Sequence, residues 1–260
     1  MSRRQGNPEA RGAGAATRAP GATRDAAIRA SSANGLLAAL PHAEYRRLHP
    51  ALEPVKLTYG EVLHEPGVPI RYVYFPLDCV ISLLTTVKGH KALEVGLVGH
   101  EGMVGIPLAL GIHASYHRAL VQRTGTAMRM ESAPFRKEFL QSKPLQKVLY
   151  RYEHALTGQI AQSAACNRFH ALQARLARYL LMTGDRARSM VVRLKHEFLA
   201  RMLGVRRVSV THAASALQKR KLIKCRRGEI TILDRNRLGA VSCECYQIIR
   251  RIYNSVYADR

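Results

Sequence analysis

The sequence predicts an α+β protein built in three successive parts. Residues 52–132 hold short runs of β-branched and aromatic residues separated by glycine and proline turns, which is typical of antiparallel strands. From Ala133 onward, apolar residues recur at the helical spacings of three and four. The segment FLARMLGVRRVSVTHAASALQKRKLI (198–223) has the pattern of two short helices joined by a tight turn. A β-rich half followed by a helical half favours segregated β and α layers.

The net charge by itself limits the kinds of partner that the protein is expected to bind. The chain has 260 residues and a formal net charge of +23, and residues 171–260 hold 20 Lys and Arg against 6 Asp and Glu. This concentration indicates a polyanionic partner, either nucleic acid or an anionic membrane, with a solvated basic face as the alternative. The sequence has no apolar run near the roughly 18 residues of a membrane span, so we expect no membrane partner.

The cysteines and the N-terminal segment bear on the compartment. Five scattered cysteines show neither a Cys-x-x-Cys pair nor zinc-finger spacing, which favours a reducing cytoplasm. Residues 1–35 are rich in Ala, Gly, Arg and Ser and lack the apolar stretch of a signal peptide. We predict a disordered basic tail over 1–35, with an organelle transit peptide as the alternative.

The β-rich region predicts an antiparallel β-roll, which we assign to a domain over 36–143. KLTYGEVLHEPG predicts two short strands with turns at Gly60 and at Pro66-Gly67. YVYFPLDCVISLLTTVKGHKALEVGLVG continues with strands broken at 76–78 and 88–90. RALVQRTGTAMRME predicts another strand pair around Gly125. Short strands at this spacing are typical of an antiparallel barrel or roll.

A long helix is predicted over 144–170, because Pro144 suits a first helical turn and apolar residues recur after it. Alternating steps of four and three form one stripe, the seam of a paired helix. The stripe turns polar at Gln159, and packing against its own domain is the alternative. The apolar positions that we assign to a dimer contact are Leu145, Leu149, Tyr152 and Leu156, and the stripe continues through Gln159, Ser163, Cys166 and His170.

The segment 198–223 has the residues that a helix-turn-helix requires, within a domain that we place at 171–240. A small residue must lie where the second helix crosses the first, a residue tolerant of positive φ must form the turn, and a β-branched residue must fill the corner. Ala200, Gly204 and Val210 meet these three needs. The predicted core comprises Leu199, Ala200, Leu203, Gly204, Val210 and Leu217.

The polar residues of the second helix are the candidates for DNA contact. They lie outside the inward face, in the N-terminal half of a helix that would meet base edges. Downstream, LIKCRRGEITIL predicts a hairpin with a basic tip, which completes a winged helix-turn-helix. We assign base reading to Arg206, Arg207, Val208, Ser209, Thr211 and His212. We assign phosphate contact to Lys195, Lys219, Arg226 and Arg227.

With these residues in view, the chain resembles the Crp–Fnr family of bacterial transcription regulators over roughly 36–240. The resemblance is strongest in LARMLGVRRVSVTHAASALQKRKLIKCRRGEITILDRNRL and weaker in YGEVLHEPGVPIRYVYFPLDCVISLL. It implies a sensor roll, a long dimerisation helix and a C-terminal winged helix-turn-helix in a homodimer. The family's base-reading positions fall on Arg207, Val208 and His212. Well-known members carry an acidic residue where this chain has Val208, so a different operator is expected.

The sensor half departs from the cyclic-nucleotide members of that family. Those members carry Gly-Glu on a short turn and a later Arg with Ser or Thr, which hold the ribose hydroxyl and the phosphate. The matching stretches here are MVGIPLAL and SYHRALVQ, so the candidate effector pocket holds Gly105, Ile106, Arg118 and Ala119. An unpaired ligand hydroxyl costs roughly 1–3 kcal/mol, so we predict that cyclic AMP is not the effector. The iron–sulfur branch is also disfavoured, because the first 78 residues contain no cysteine.

Metal sites and bound cofactors are not expected. His113 and His117 could face one metal only if they were helical, and polar-loop histidines are the simpler interpretation. Cys243 and Cys245 lie two apart in a predicted helical tail, where they would point in different directions. Cys166 on the seam could meet its symmetry mate, but a small buried apolar role is favoured.

The sequence predicts no enzyme, since DR at 185–186 and HEFLAR lack a nucleophile–base–orienter set. The leading hypothesis is a sequence-specific, homodimeric regulator of the bacterial cytoplasm and nucleoid, with double-stranded DNA as partner, RNA polymerase as a candidate further partner, and an unknown effector. A non-specific architectural DNA-binding protein is one alternative. A ligand-binding module with a mainly structural helix-turn-helix is the other. The tail at 241–260 has no assigned role.

Overall fold

The computed structural model describes residues 33–88 and 92–258. Most of the predicted basic tail, residues 1–32, lies outside this range. The predicted tail boundary at 35 is too late, because Asn34 is fully buried. Its amide donates to the carbonyls of Pro76 and Gly102, and its oxygen caps the first helix, so this residue anchors the chain to the roll.

In the part of the chain that the structure describes, seven antiparallel strands form the roll as two sheets. One sheet has the order β1–β7–β3, and the other has the order β2–β6–β4–β5. The strands are β1 Glu53–Leu57, β2 Val62–His64, β3 Tyr72–Pro76, β4 Val80–Thr85, β5 Leu93–Val98, β6 Arg118–Arg123 and β7 Gly125–Glu131. Inward-facing residues of both sheets meet in one apolar core, as in a closed roll.

The predicted strand pair around Gly125 is wrong in its pairing. β6 pairs with β2 and β4, whereas β7 pairs with β1 and β3, so the chain changes sheets at this point. A Cβ on Gly125 would lie 2.6 Å from the backbone nitrogen of Cys79. The glycine therefore serves a close backbone crossing between sheets rather than a hairpin turn.

Helices flank the roll and form the C-terminal part. They are α1 Gly35–Ala38, α2 His42–Leu48, α3 Ser132–Gln141, α4 Lys143–Phe169, α5 Leu172–Arg186, α6 His196–Leu203, α7 Arg207–Lys219, α8 Arg235–Val241 and α9 Cys245–Val256. Ser142 caps α4 by accepting from Leu145 N at 3.2 Å, and proline stands in the first turn. A mixed α+β chain with an N-terminal antiparallel roll, a long helix and a C-terminal helical domain is confirmed.

The face of α4 assigned to a dimer contact is covered by the chain itself. Leu145, Leu149, Tyr152 and Leu156 are all buried in the single chain. The hydroxyl of Tyr152 donates to the Met103 carbonyl at 2.8 Å. The dimer assignment of these four residues is therefore wrong, because a heptad-like stripe marks an apolar face without saying what covers it.

The C-terminal domain follows α4 after only two connecting residues, 170 and 171. α5 packs on α7, and α6 packs on α7. A small sheet of order β8–β10–β9 follows, formed by Val191–Val192, Glu229–Ile232 and Ile223–Arg226 respectively. α9 returns to pack along α4, where Ile252 lies against Gly158.

Among the described residues, no helix combines the length and apolar character that crossing a bilayer requires.

Candidate nucleic-acid interface

The turn between α6 and α7 depends on one glycine. Gly204 adopts φ 64° and ψ 37°, the left-handed conformation that ends α6. Val205 N then donates to the Ala200 carbonyl at 2.9 Å, which closes the turn. Ala200 and Val210 are buried between the two helices. The chain is therefore redirected into α7 at a fixed angle, with its next residues facing solvent.

The N-terminal half of α7 is a polar surface. The base-reading candidates Arg206, Arg207, Val208, Ser209, Thr211 and His212 are all exposed. Val208 is 65% exposed, which is unusual for a valine on an amphipathic helix. Arg206 and Arg207 lie at the amino end of α7. This is the end that a recognition helix presents to the major groove.

Thr211 is already engaged within the protein. Its hydroxyl donates to the Arg207 carbonyl at 3.2 Å and lies 3.1 Å from Nδ1 of His196 on α6. Burial, and then the charge of Arg207, lower the pKa of His196. A neutral imidazole can donate from Nδ1 to the threonine oxygen, so Thr211 fixes the crossing of α6 and α7.

The wing is a two-residue hairpin. β9 and β10 pair in register from Glu229↔Arg226 to Ile232↔Ile223. The two turn residues, Arg227 and Gly228, have φ of 35° and 83°, as the hairpin turn with the favoured twist requires. Arg226 and Arg227 are exposed at this tip, so the wing carries two guanidinium groups into solvent.

A cleft of about 490 Å³ separates the wing from the helices and brings four predicted DNA contacts together. Lys195, Arg207, Arg226 and Arg227 all line it. Lys219 does not, because it ends α7 and lies about 18 Å along the helix from Arg207 at 1.5 Å per residue. The cleft is a concave basic surface beside the exposed start of α7, the arrangement expected for a DNA backbone.

Three other arginines of the same domain, Arg175, Arg178 and Arg186, are buried in α5. Arg175 donates to the Leu203 carbonyl at 2.5 Å and to the Asn167 side chain at 2.7 Å. Arg186 donates to the Leu97 carbonyl at 2.9 Å and pairs with Glu101 at 3.0 Å. The net charge of the sequence counts these three buried cations together with the exposed ones. Their hydrogen bonds, however, are made to other groups of the protein.

The candidate effector residues lie on two separate elements. Gly105 and Ile106 begin a 3-10 turn, Ile106–Leu110, in which Ile106 is buried. Arg118 begins β6, where Nε and Nη2 bond both carboxylate oxygens of Glu65 at 2.9 and 2.5 Å. Ala119 is buried in the same sheet. The guanidinium is therefore paired at the surface with a carboxylate of its own chain, and Ile106 offers no polar group.

The two histidines considered as metal ligands would face one metal only if they were helical, and they are not. His113 and His117 lie in an irregular segment rather than a helix. The His113 carbonyl accepts from Ile70 N at 2.8 Å. The spacing of four therefore does not bring the two rings to one face.

The expectation about the cysteines is wrong. Cys243 lies in the turn between α8 and α9, and Cys245 is the first residue of α9, so the two side chains do not diverge along one helix. Both meet Cys166 and His170 from the end of α4. Cys166 is buried within its own chain and does not face a symmetry mate. The Cys-x-Cys and Cys-x-x-x-His spacings were the only sequence signals of this cluster.

Comparison with known proteins agrees with this architecture. Residues 174–241 match the family model of the Crp-like helix-turn-helix domain. A regulator of the Crp/Fnr family from Eubacterium rectale, described as putative, superposes with a TM-score of 0.62 at 16% identity, covering 81% of this chain and 98% of its own. FixK2 from Bradyrhizobium japonicum gives 0.64 at 13% identity, with 74% and 98% covered. Comparison with curated proteins gave no match.

A third solved structure shares this fold. The c-di-GMP responsive global regulator CLP from Xanthomonas campestris superposes with a TM-score of 0.59 at 16% identity, covering 75% of this chain and all of that chain. These structural likenesses show a common fold.

A basic winged helix-turn-helix that presents an exposed arginine-rich helix is the arrangement of a DNA-binding domain. Residues 174–241 therefore form a Crp-like helix-turn-helix domain, and most of the chain shares the fold of the Crp/Fnr regulators compared above.

Proposed function

We propose that the protein binds an inverted-repeat operator as a homodimer and that an effector other than cyclic AMP controls it. The observation that carries the proposal is the exposed start of α7 beside the basic cleft. In this arrangement α7 enters the major groove and the wing contacts flanking phosphates. Phosphate contacts set register and orientation, while base contacts supply specificity.

Within α7, Arg207 is the central base reader. Its fork bonds guanine O6 and N7 together, a contact worth about 1–3 kcal/mol against the wrong base. Val208 beside it offers only apolar contact, which suits a thymine methyl. His212 lies five residues further along the exposed side and bonds a base edge or a phosphate.

The homodimer uses the outer face of α4. Tyr150, His154, Thr157 and Ala161 are exposed and follow steps of four, three and four, so they share one stripe opposite the buried one. Tyr150 is 50% exposed despite its size, and the small Ala161 permits close helix approach. A second copy crossing here relates two recognition helices by a two-fold axis, with half-sites about 34 Å apart.

The dimer contact has a direct test. We expect Ala161→Arg to place a charge in the contact, to give the mass of one chain at micromolar concentration, and to weaken operator binding. Gln247→Arg, on the exposed side of α9, is the matched control. A wild-type protein that is monomeric at this concentration while binding DNA tightly would contradict the homodimer.

Cyclic AMP is disfavoured as the effector because Ile106 supplies no carboxylate and Arg118 is paired with Glu65. We expect no saturable heat on titration with cyclic AMP and no gain in DNA affinity. Micromolar binding would contradict this part of the proposal and leave DNA binding untouched.

Selection of bound sites from a random duplex pool tests the function as a whole. We expect one recovered inverted repeat and a specific affinity at least 10³-fold above that for scrambled duplex. Equal affinity for all duplexes would favour a non-specific architectural protein. Absence of duplex binding would favour a ligand-binding module whose helix-turn-helix is structural.

A further inference from the structure

Four metal-ligating side chains meet where α4 ends and α9 begins. The sulfurs of Cys166, Cys243 and Cys245 and a ring nitrogen of His170 all lie within 4.8 Å of one another. The Sγ atoms of Cys166 and Cys243 are 3.5 Å apart, and Cys245 Sγ is 3.5 Å from Nδ1 of His170. The three cysteines are buried, and the histidine is partly buried. This sulfur–imidazole cluster has no part in the DNA-binding surface.

The spacing within the cluster suits a single tetrahedral ion. Zinc binds sulfur at about 2.3 Å and imidazole nitrogen at about 2.0–2.1 Å, so ligand atoms at tetrahedral corners lie about 3.5–3.8 Å apart. The two 3.5 Å separations match these edges. A disulfide needs about 2.05 Å between sulfurs, and the three cysteines are free thiols. An iron–sulfur cluster, with one cysteine on each of several irons, needs ligands farther apart.

The histidine is oriented as a ligand. Its Nε2 lies 3.0 Å from a carboxylate oxygen of Glu244, so Nε2–H donates to Glu244 and the Nδ1 lone pair faces Cys245. A carboxylate behind a histidine fixes the tautomer and raises the basicity of the ligating nitrogen. Glu244 lies between Cys243 and Cys245, so one short turn supplies two ligands and this support.

The surrounding charge also suits a thiolate-rich metal site. Three thiolates, a neutral imidazole and a divalent ion carry one net negative charge. Arg178 is buried near Cys166. Its Nε has no hydrogen-bond partner among the described residues. Nearby negative charge stabilises a buried cation, and the loaded site adds such a charge to that of Glu94.

We propose that Cys166, His170, Cys243 and Cys245 bind one Zn²⁺ ion in a closed, structural Cys₃His site. The four ligands leave no open position for catalysis. The ion links the end of α4 to the start of α9. It therefore closes a loop of the chain that contains all of α5 to α8. It therefore restrains the two-residue connection, 170–171, that fixes the orientation of the DNA-binding domain relative to α4. This proposal is independent of operator sequence, dimerisation and effector.

Metal content is the first measurement. The full chain, purified without a histidine tag from zinc-supplemented cells, is expected to contain one zinc per chain by mass spectrometry of the digested protein. Cys243→Ser and Cys245→Ser are expected to lower this content at least fivefold. Cys225→Ser, a half-buried thiol in the wing, is the matched control and should keep one zinc.

Cobalt reports the ligand set without any substitution. Co²⁺ added to chelator-treated wild-type protein is expected to saturate at one equivalent, with thiolate-to-cobalt charge transfer, intense tetrahedral visible bands, and displacement by Zn²⁺. Glu244→Gln should keep the spectrum but weaken metal binding about tenfold or more, as removal of a ligand's support does. His170→Ala should change the spectrum itself.

Chelation provides a readout of the structural role. Metal that binds only the folded chain raises its stability, so a chelator is expected to lower the midpoint of thermal unfolding of the wild type and of Cys225→Ser. The midpoint of Cys243→Ser should not respond. The proposal would be overturned if full-length protein with reduced thiols contained no zinc and gave no cobalt absorption bands. It would also be overturned by a Cys166–Cys243 disulfide in protein purified under reducing conditions, or by equal zinc in all variants.

Discussion

The C-terminal domain holds two sets of arginines with opposite environments. Arg206 and Arg207 on α7 and Arg226 and Arg227 on the wing are exposed, whereas Arg175, Arg178 and Arg186 on α5 are only 5–7% exposed. The exposed set faces the cleft and solvent, where a polyanion can reach it. Carbonyls, an amide and a carboxylate of the protein hold Arg175 and Arg186, and Arg178 donates to the sulfur of Met182.

The difference teaches that a net charge counts cations without saying which ones can bind DNA. A buried guanidinium that is already hydrogen-bonded costs several kcal/mol to expose, so it cannot be used for phosphate contact. Arg186 instead links α5 to β5 of the roll and to Glu101, which makes it part of the contact between the roll and the C-terminal domain. Substitutions in the two sets should therefore have separable effects on stability and on DNA binding.

The largest expected effect is on folding, at Arg186. Arg186→Met removes the partner of a carboxylate with 13% side-chain exposure, Glu101, so we expect the free energy of unfolding to fall by about 3–5 kcal/mol. Urea unfolding followed by circular dichroism measures it. Arg207→Met is the matched control from the exposed set and should change stability by less than about 0.5 kcal/mol. A similar decrease in both variants would contradict the distinction between the two sets.

The next effect is on base discrimination, at Arg207. Arg207→Ala should reduce the preference at one position in each half-site by about 1–3 kcal/mol, because the bidentate guanine contact is removed. Competition binding with single-base operator variants measures this change. Arg207→Lys should restore only part of the preference, since an ammonium lacks the planar fork. If Arg207→Ala weakened every duplex equally, the residue would be a phosphate contact.

A pH effect is expected from the carboxylate that lies beside the buried set. Burial raises the pKa of Glu94 to about 7, and Ser82, Tyr179, Arg178 and Arg186 oppose this shift. Between an unfolded pKa near 4.5 and about 7 the folded protein binds the extra proton, so the free energy of unfolding falls as pH rises through this window.

The size of this decrease is about 3 kcal/mol, and it should level off above pH 7. Glu94→Gln keeps an acceptor for the Ser82 hydroxyl, which bonds the carboxylate at 2.6 Å, and removes the titration. Urea unfolding at several pH values for both proteins gives the difference, and histidine titrations shared by both cancel. Parallel pH profiles for the two proteins would refute the assignment.

The smallest effect is expected at the wing. Arg226→Ala with Arg227→Ala should weaken all duplexes by roughly tenfold at moderate salt. The slope of log affinity against log salt should fall by about 0.9 for each phosphate that the wing no longer neutralises. Base preference and unfolding free energy should not change. An unchanged slope would mean that the wing does not bind phosphate.

Much of the DNA-binding surface could be predicted from local sequence. The φ of Gly204, the burial of Val210 and the two-residue turn at Arg227-Gly228 follow from residues within a few positions of one another. Which face of α4 is free could not be predicted in this way. An apolar stripe on α4 is compatible with a partner helix or with the roll, and only the fold shows that the roll covers it.

The sequence by itself determined the order of roll, long helix and winged helix-turn-helix, because strand alternation, helical spacing and turn chemistry act over a few residues. Only the tertiary structure decided which cations are buried, which face of α4 is free, and that Cys166 and His170 meet Cys243 and Cys245. Those outcomes join residues that are far apart in the chain. Their distances depend on how whole elements pack against one another, and no local periodicity encodes that packing.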